Sequence, residues 1–302
     1  MLDTFVTITL YGSREAEVLD GAFDIVRRFD HMMNRHHPGS DLWALNHAQG
    51  RPVELPHHLA RLIETSLEYA EQAGGSYDPT IAPVIDLWFG ERGIQEAEAD
   101  RVPPGPEEIA RALGAVDFRN VQISANTARL LNGAMIDLGS IAKGYIADEV
   151  GRYLRGQGVP GAIINLGGDI LTIGERPDGR PFQIGIRKPF EEEWTVLGSV
   201  QARDLAVVTS GVYERYFVHQ GVRYHHILDA QTGFPVDNGL AAVTVISPLA
   251  VEGDALSIIC FLLGTEEGIA FIERFDGAEA LFIQTDGEVA MSAGFQEIFT
   301  FS

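Results

Sequence analysis

Three short runs carry the residue types that do chemistry. Thr209-Ser210-Gly211 comes first, Tyr224-His225-His226-Ile227-Leu228-Asp229 with Thr232-Gly233-Phe234-Pro235 second, and Asp254-Ala255-Leu256-Ser257 third. His226 stands before an apolar pair that leads into a turn, where Gly233 tolerates positive φ and Pro235 fixes the exit. A histidine at such a rim suits general acid or base work, since an unperturbed imidazole titrates near about pH 6.5. Asp254 follows Gly253 and opens an apolar run that reaches Leu263 and meets Gly264, the pattern of a buried helix. Capping preference makes its carboxylate an N-terminal cap and Gly264 the C-terminal stop; a metal ligand is the sharper alternative.

Four further segments offer binding groups. Gly74-Gly75-Ser76-Tyr77-Asp78-Pro79-Thr80 supplies glycine-freed amides, hydroxyls and a carboxylate, and by itself reads as a turn. Asp137-Leu138-Gly139-Ser140-Ile141-Ala142-Lys143-Gly144 leads from a strand into a helix, so the amides from Gly139 to Ala142 could hold phosphate oxygens. Lys143 adds a movable positive charge there, and it is one of only two lysines in the chain, so it is not surface filler as readily as most; a plain helix start stays open beside it. Asn165-Leu166-Gly167-Gly168-Asp169 reads as a strand ending in a turn and lacks the spaced glycines of a dinucleotide fingerprint. Met33 to Asp41 is a polar turn after the first helix in which Ser40 or Asp41 caps the next helix and His36 could stack on a ligand ring.

These residues need a scaffold, and the periodicity predicts an α+β one. Helices are expected over 13–33, over 57–73 with Gly74-Gly75 closing the second, over 141–155, over 254–263 and over 266–275. Short strands dominate from Val121 onward, and Gly90 to Pro106 reads as a surface excursion. With 302 residues, 45% of them hydrophobic and 22% charged, the chain can bury a large core as one big domain or two closely joined ones. A net charge of -21 without a basic cluster argues against nucleic acid. The single cysteine, Cys260, excludes an internal disulfide or a multi-cysteine metal site and reads as inert core. The alternation after Asp3 reads as a strand and not as a leader, and no spanning helix or lipid-attachment cysteine is expected. The chain as written is therefore expected to be cytoplasmic, or periplasmic if a leader has been removed.

The order of these motifs resembles the ApbE family, the FAD:protein FMN transferases once described as thiamine-biosynthesis lipoproteins. The likeness runs through Asp3-Thr4, Ser40 to Asn46, Ser76 to Thr80 with Leu87-Trp88, Asp137 to Gly144, Asn165 to Asp169, Thr209 to Gly211, His226 to Pro235 and Asp254 to Ser257. It implies a single two-lobed α+β domain over residues 1–302, with mixed and mainly antiparallel sheets, flanking helices and FAD in the groove between the lobes. It also implies an Mg²⁺-dependent reaction that joins the FMN portion of FAD to a threonine or serine of an acceptor protein and releases AMP.

By similarity, Ser76, Tyr77, Asp78, Asp137, Lys143 and Leu228 contact FAD, and His36 lies near the flavin ring. Ser140, Asp254 and Ser257 form the metal site, and His226 takes the acceptor's proton. Two departures stand out: Ile258 replaces a family threonine that gives the metal an oxygen, and Leu2 replaces a methionine that contacts FAD. Ser140 replaces a frequent glycine, which matters little if its carbonyl is the ligand. An FAD pyrophosphatase and a non-catalytic flavin-binding protein remain as alternatives.

Overall fold

The computed structural model describes residues 4–12, 16–90, 101–192 and 194–302. In chain order the first elements are β1 (Val6–Tyr11), α1 (Ala16–Met33), α2 (Asp41–Asn46), β2 (Val53–Glu54), α3 (His57–Gln72), α4 (Ala82–Phe89), α5 (Pro106–Leu113), β3 (Val121–Ser124) and β4 (Thr127–Leu130). There follow α6 (Ala142–Gly156), β5 (Gly161–Leu166), β6 (Asp169–Gly174), β7 (Phe182–Arg187), β8 (Val196–Ala202), β9 (Ala206–Gly211), β10 (Tyr216–His219) and β11 (Val222–His225). The chain closes with β12 (Leu240–Ser247), α7 (Ala250–Ile272), β13 (Glu279–Gln284), β14 (Val289–Met291), α8 (Phe295–Ile298) and β15 (Phe299–Phe301). It divides into two compact units, neither contiguous in sequence: Asp30–Ser140 with Val212–Asp237, and residues 4–29 with Ile141–Gly211 and Asn238–Ser302.

The second unit is built on a seven-stranded sheet in the order β1-β5-β6-β9-β12-β13-β14, with every neighbouring pair antiparallel. Every residue of β12 is buried, which is why its sequence lacks the polar alternation of a half-exposed strand. Helix α7 packs along β9 and β12, and α6 packs on β5, β6 and α7. The α6–α7 approach depends on Gly144, where a Cβ would stand 2.1 Å from the Ala250 carbonyl oxygen. By length and composition α7 could also cross a bilayer, but a little over half of its most apolar window, 56%, is buried within the protein, as in the core helix of a globular fold. Burial pushes the Cys260 thiol up to about 12, in keeping with inert core.

The first unit holds the sheet β2-β4-β3, the hairpin β10-β11 and helices α2 to α5. Its core is aromatic: Trp88 and Phe89 of α4 meet Phe217 of β10, and Tyr224 of β11 stacks on Trp88 at 5.5 Å. The Trp88 indole N–H donates to the Gly233 carbonyl at 2.7 Å. Gly233 has φ 71°, and a Cβ there would lie 2.5 Å from a methyl of Ile109, so the turn accepts only glycine.

Several sequence expectations change in detail. Helix α1 is described from Ala16, and α3 ends at Gln72 with Gly74 and Gly75 both at positive φ, as its closing glycines require. Residues 91–100 of the expected excursion, and Leu2 and Asp3, lie outside the described residues. The largest correction concerns α7. It starts at Ala250 with Leu249 at the cap, so Asp254 lies in the second turn and does not cap its own helix. Gly264, at φ 80°, kinks the helix instead of ending it, and the segment expected as a separate helix from 266 is its continuation to Ile272.

Candidate active site

In the unit Asp30–Ser140 with Val212–Asp237, the expected flavin residues sit on turns held by buried polar contacts. Asp78 is buried; one carboxylate oxygen accepts from the Thr80 amide at 2.7 Å and the Thr80 hydroxyl at 2.6 Å, and the other from the Phe118 amide at 2.8 Å. Burial raises its pKa against these hydrogen bonds. Asp78 thus shapes the loop that carries Ser76 and Tyr77. The Ser76 hydroxyl donates to the Ala73 carbonyl at 2.9 Å, and the Ser140 hydroxyl to the Tyr77 phenol at 3.3 Å. Leu228 is buried in the aromatic core.

Asp137 is held by a residue that the sequence did not single out. Arg35 donates from Nε to Asp137 at 2.5 Å and from its two terminal nitrogens to Asp86 at 3.1 and 2.8 Å. The other Asp137 oxygen accepts from the Gly139 amide at 2.7 Å, so that amide is already committed. Burial alone would raise the Asp137 carboxyl, but the Arg35 charge and these hydrogen bonds hold it below the usual range. The exposed His36 ring is pushed down, first by desolvation and then by the Arg35 charge, which favours the neutral imidazole. Ser40 caps α2 through the Trp43 amide at 3.0 Å, and Asn46 clamps the Ile136 backbone with hydrogen bonds of 2.9 and 2.8 Å.

The two adjacent histidines of the hairpin differ in kind. His225 is buried, its Nε2 bonds the Val236 carbonyl at 2.9 Å, and burial lowers its pKa; it holds the hairpin to the following turn. The half-buried His226 sets its Nδ1 3.1 Å from the Arg215 carbonyl. A carbonyl only accepts, so Nδ1 carries the proton and in the neutral ring Nε2 carries the lone pair. That is the tautomer a general base needs.

In the other unit, Lys143 lies between two buried carboxylates. Its Nζ is 2.5 Å from Asp169 Oδ2 and 3.0 Å from Asp254 Oδ1. Burial alone would lower the lysine pKa, but the two carboxylates outweigh it and hold it well above the usual value. Asp254 Oδ2 accepts the Gly144 amide at 3.0 Å, so Asp254 does cap a helix, but that helix is α6. Asp148 of α6 returns the cap, accepting the Ala250 and Val251 amides of α7 at 2.9 Å each. Burial raises the Asp148 carboxyl to about 6. This reciprocal capping, which no local pattern announces, fixes Asp254 against Lys143 and Gly144.

The glycine-glycine turn has a structural task here. Gly167 and Gly168 both have positive φ, close the β5–β6 hairpin and set Asp169 opposite Leu166 at the start of β6. The Ser257 hydroxyl donates to the Asp254 carbonyl at 3.0 Å and lies 2.8 Å from the Ser210 hydroxyl, while Thr209 pairs with Thr244 at 2.8 Å. Ile258 brings no oxygen. Among the described residues no group of three or more His, Cys, Asp or Glu side chains could hold a metal, so a site on Asp254 would draw its other ligands from hydroxyls, carbonyls and water.

The sequence matches the ApbE family over residues 2–282. The chain belongs to the ApbE family. A Treponema pallidum protein named FAD:protein FMN transferase is 34% identical to this family member, over 97% of this chain and 85% of that protein. A Klebsiella pneumoniae protein of the same name is 34% identical over 95% of this chain and 88% of its own length. The solved ApbE protein of Thermotoga maritima superposes with a TM-score of 0.88 at 30% identity, covering 98% of this chain and 96% of that one. The apo flavinyl transferase ApbE of Pseudomonas stutzeri gives 0.84 at 29% identity, covering 97% and 93%. The α+β class with antiparallel sheets and flanking helices expected from sequence is therefore the fold of this ApbE chain.

Proposed function

We propose that this ApbE family member is an enzyme, an FAD:protein FMN transferase, in which residues 1–302 act as one domain on one FAD. The acceptor's threonine or serine oxygen bonds to the FMN-side phosphorus, the bond from that phosphorus to the AMP oxygen breaks, AMP leaves, and the hydroxyl proton goes to a base. That base is His226 Nε2. The observation that carries the reading is the Arg215 carbonyl on Nδ1, because it selects the basic tautomer. Ser76, Tyr77, Asp78, Asp137 and Leu228 shape the flavin-nucleotide contacts, with the neutral ring of His36 against the flavin. Lys143 supplies positive charge to the pyrophosphate.

The residues around Asp254 suit a hard cation, since they offer a carboxylate, hydroxyl and carbonyl oxygens and no soft donor. Asp254 would hold Mg²⁺ with the Ser140 carbonyl and the Ser257 hydroxyl, which keeps a lone pair beyond its bonds to Ser210 and the Asp254 carbonyl. Bound there, Mg²⁺ supplies neutralisation of phosphate charge.

Incubation with FAD and Mg²⁺, with and without an acceptor protein bearing the target hydroxyl, tests the proposal by AMP release and covalent flavin. Expected are equal amounts of both, dependent on acceptor. AMP with free FMN in the absence of acceptor would mean a pyrophosphatase, and bound FAD with neither product would mean a binding protein, as the Ile258 departure favours. His226→Ala should lower transfer by about 10²–10⁴-fold while FAD still binds. Near-normal transfer in the folded variant would remove His226 as the base.

A further inference from the structure

Asp254 has two carboxylate oxygens, and both are engaged: Oδ2 by the Gly144 amide and Oδ1 by the Lys143 ammonium. A divalent cation at Asp254 therefore competes with Lys143 for Oδ1. The ammonium has a second partner, because Asp169 lies closer to it than Asp254 does, at 2.5 against 3.0 Å. The Asp169 and Asp254 side chains are 6% and 5% exposed, whereas that of Lys143 is 22% exposed, so the lysine is the member of the trio with room to move. Lysine is suited to this, being a point charge with rotatable donors on a flexible stem, without the fixed fork of arginine. Asp169 is the rigid member, set by the Gly167-Gly168 turn and the Gly168 amide on Asn165 at 2.8 Å.

We propose that Asp169 is a positioning residue that anchors Lys143, so that the lysine ammonium is a built-in competitor of the divalent cation at Asp254 and stays on Asp169 when it yields. The inference rests on the transferase reading for the cation at Asp254. It gives the Gly-Gly-Asp turn a purpose: Lys143 neutralises Asp254 until a cation replaces it, and its charge is then available to phosphate.

Mn²⁺ binding to the full chain without flavin, followed by paramagnetic resonance and calorimetry, tests this apart from turnover. Asp254→Ala should abolish the site. The double variant Lys143→Met with Asp169→Asn keeps the net charge of the trio and removes the competitor, so it should bind Mn²⁺ roughly ten- to hundredfold tighter than wild type, the worth of one charge-assisted contact. Asp169→Asn alone should bind severalfold more weakly, since Lys143 then has only Asp254 of the pair. If the double variant fails to fold, Lys143→Gln with Asp169→Asn serves the same comparison. Equal or weaker binding in the folded double variant would overturn the proposal, and a lowered melting temperature without any change in Mn²⁺ affinity for Asp169→Asn would reduce Asp169 to a structural role. Wild-type affinity in Asp254→Ala would overturn both this proposal and the metal assignment, whereas failure of the double variant alone leaves that assignment standing.

Discussion

Each unit sets a cation between two carboxylates, yet the two clusters are built differently. Arg35 spreads three hydrogen bonds over Asp86 and Asp137 with its side chain 5% exposed, while Lys143 meets Asp169 and Asp254 through one nitrogen with its side chain 22% exposed. The guanidinium fork holds both partners in fixed directions and keeps its charge at any ordinary pH; the ammonium can turn from one carboxylate to the other. The arginine cluster is therefore the rigid one of the two. The lysine cluster is the one whose cation has room to change partners.

The largest expected effect would break this contrast at the lysine end. Asp254→Ala should cut Mg²⁺-dependent AMP release by roughly 10²–10³-fold, the scale of losing a main electrostatic stabiliser, with FAD affinity little changed in fluorescence titration. Ile258→Thr should act in the opposite direction, lowering the Mg²⁺ concentration needed by adding an oxygen one turn away. Full activity in Asp254→Ala would make the lysine cluster as structural as its counterpart.

Arg35→Met should cost about 3–5 kcal/mol of stability in urea unfolding, because it leaves two carboxylates without their buried partner, and should weaken FAD binding roughly tenfold or more. Arg35→Lys should recover only part of either loss, since one ammonium cannot reproduce the fork. Complete rescue by lysine would show that the two clusters do not differ in kind.

Alkaline pH sharpens the same comparison with a smaller effect. Lys143 has a raised folded pKa, so its contribution to stability is complete below the ordinary lysine value of 10.5 and is lost as pH climbs from there through the raised value. The stability difference between wild type and Lys143→Met should shrink above pH 10.5. The corresponding difference for Arg35→Met should stay level there, because a guanidinium ordinarily stays charged well above the lysine range and the Asp137 and Asp86 carboxylates raise it further against its burial. Asp137 works in the other direction: its depressed pKa adds stability above 3.8 that is lost as pH falls through the folded value.

The smallest effect tests the brace behind the lysine cluster. Asp148→Asn keeps one acceptor for the α7 amides and loses the other, so the melting temperature should drop by about 2–4 °C, with FAD affinity unchanged. A larger loss, coupled to weaker Mn²⁺ binding, would place Asp148 among the groups that position Asp254.

What could be read in the sequence alone was local. The Thr232-Gly233-Phe234-Pro235 turn, the Ser40 cap, the closing glycines after α3, the buried helix around Cys260 and the place of His226 at a strand end all follow from φ preference, capping and hydrophobic period. The ordered motifs were sufficient to indicate the family. The partners of the charged residues were not legible. Arg35 finds Asp137 across 102 residues, and Lys143 finds Asp254 across 111. At Asp254 the local pattern pointed to a cap for its own helix, and it was the approach of α6 at Gly144 that turned the carboxylate to another one. A side chain's neighbours along the chain set its backbone preferences, but a buried charge takes whichever opposite charge the packing of distant elements brings within reach, and that is decided only when the tertiary structure forms.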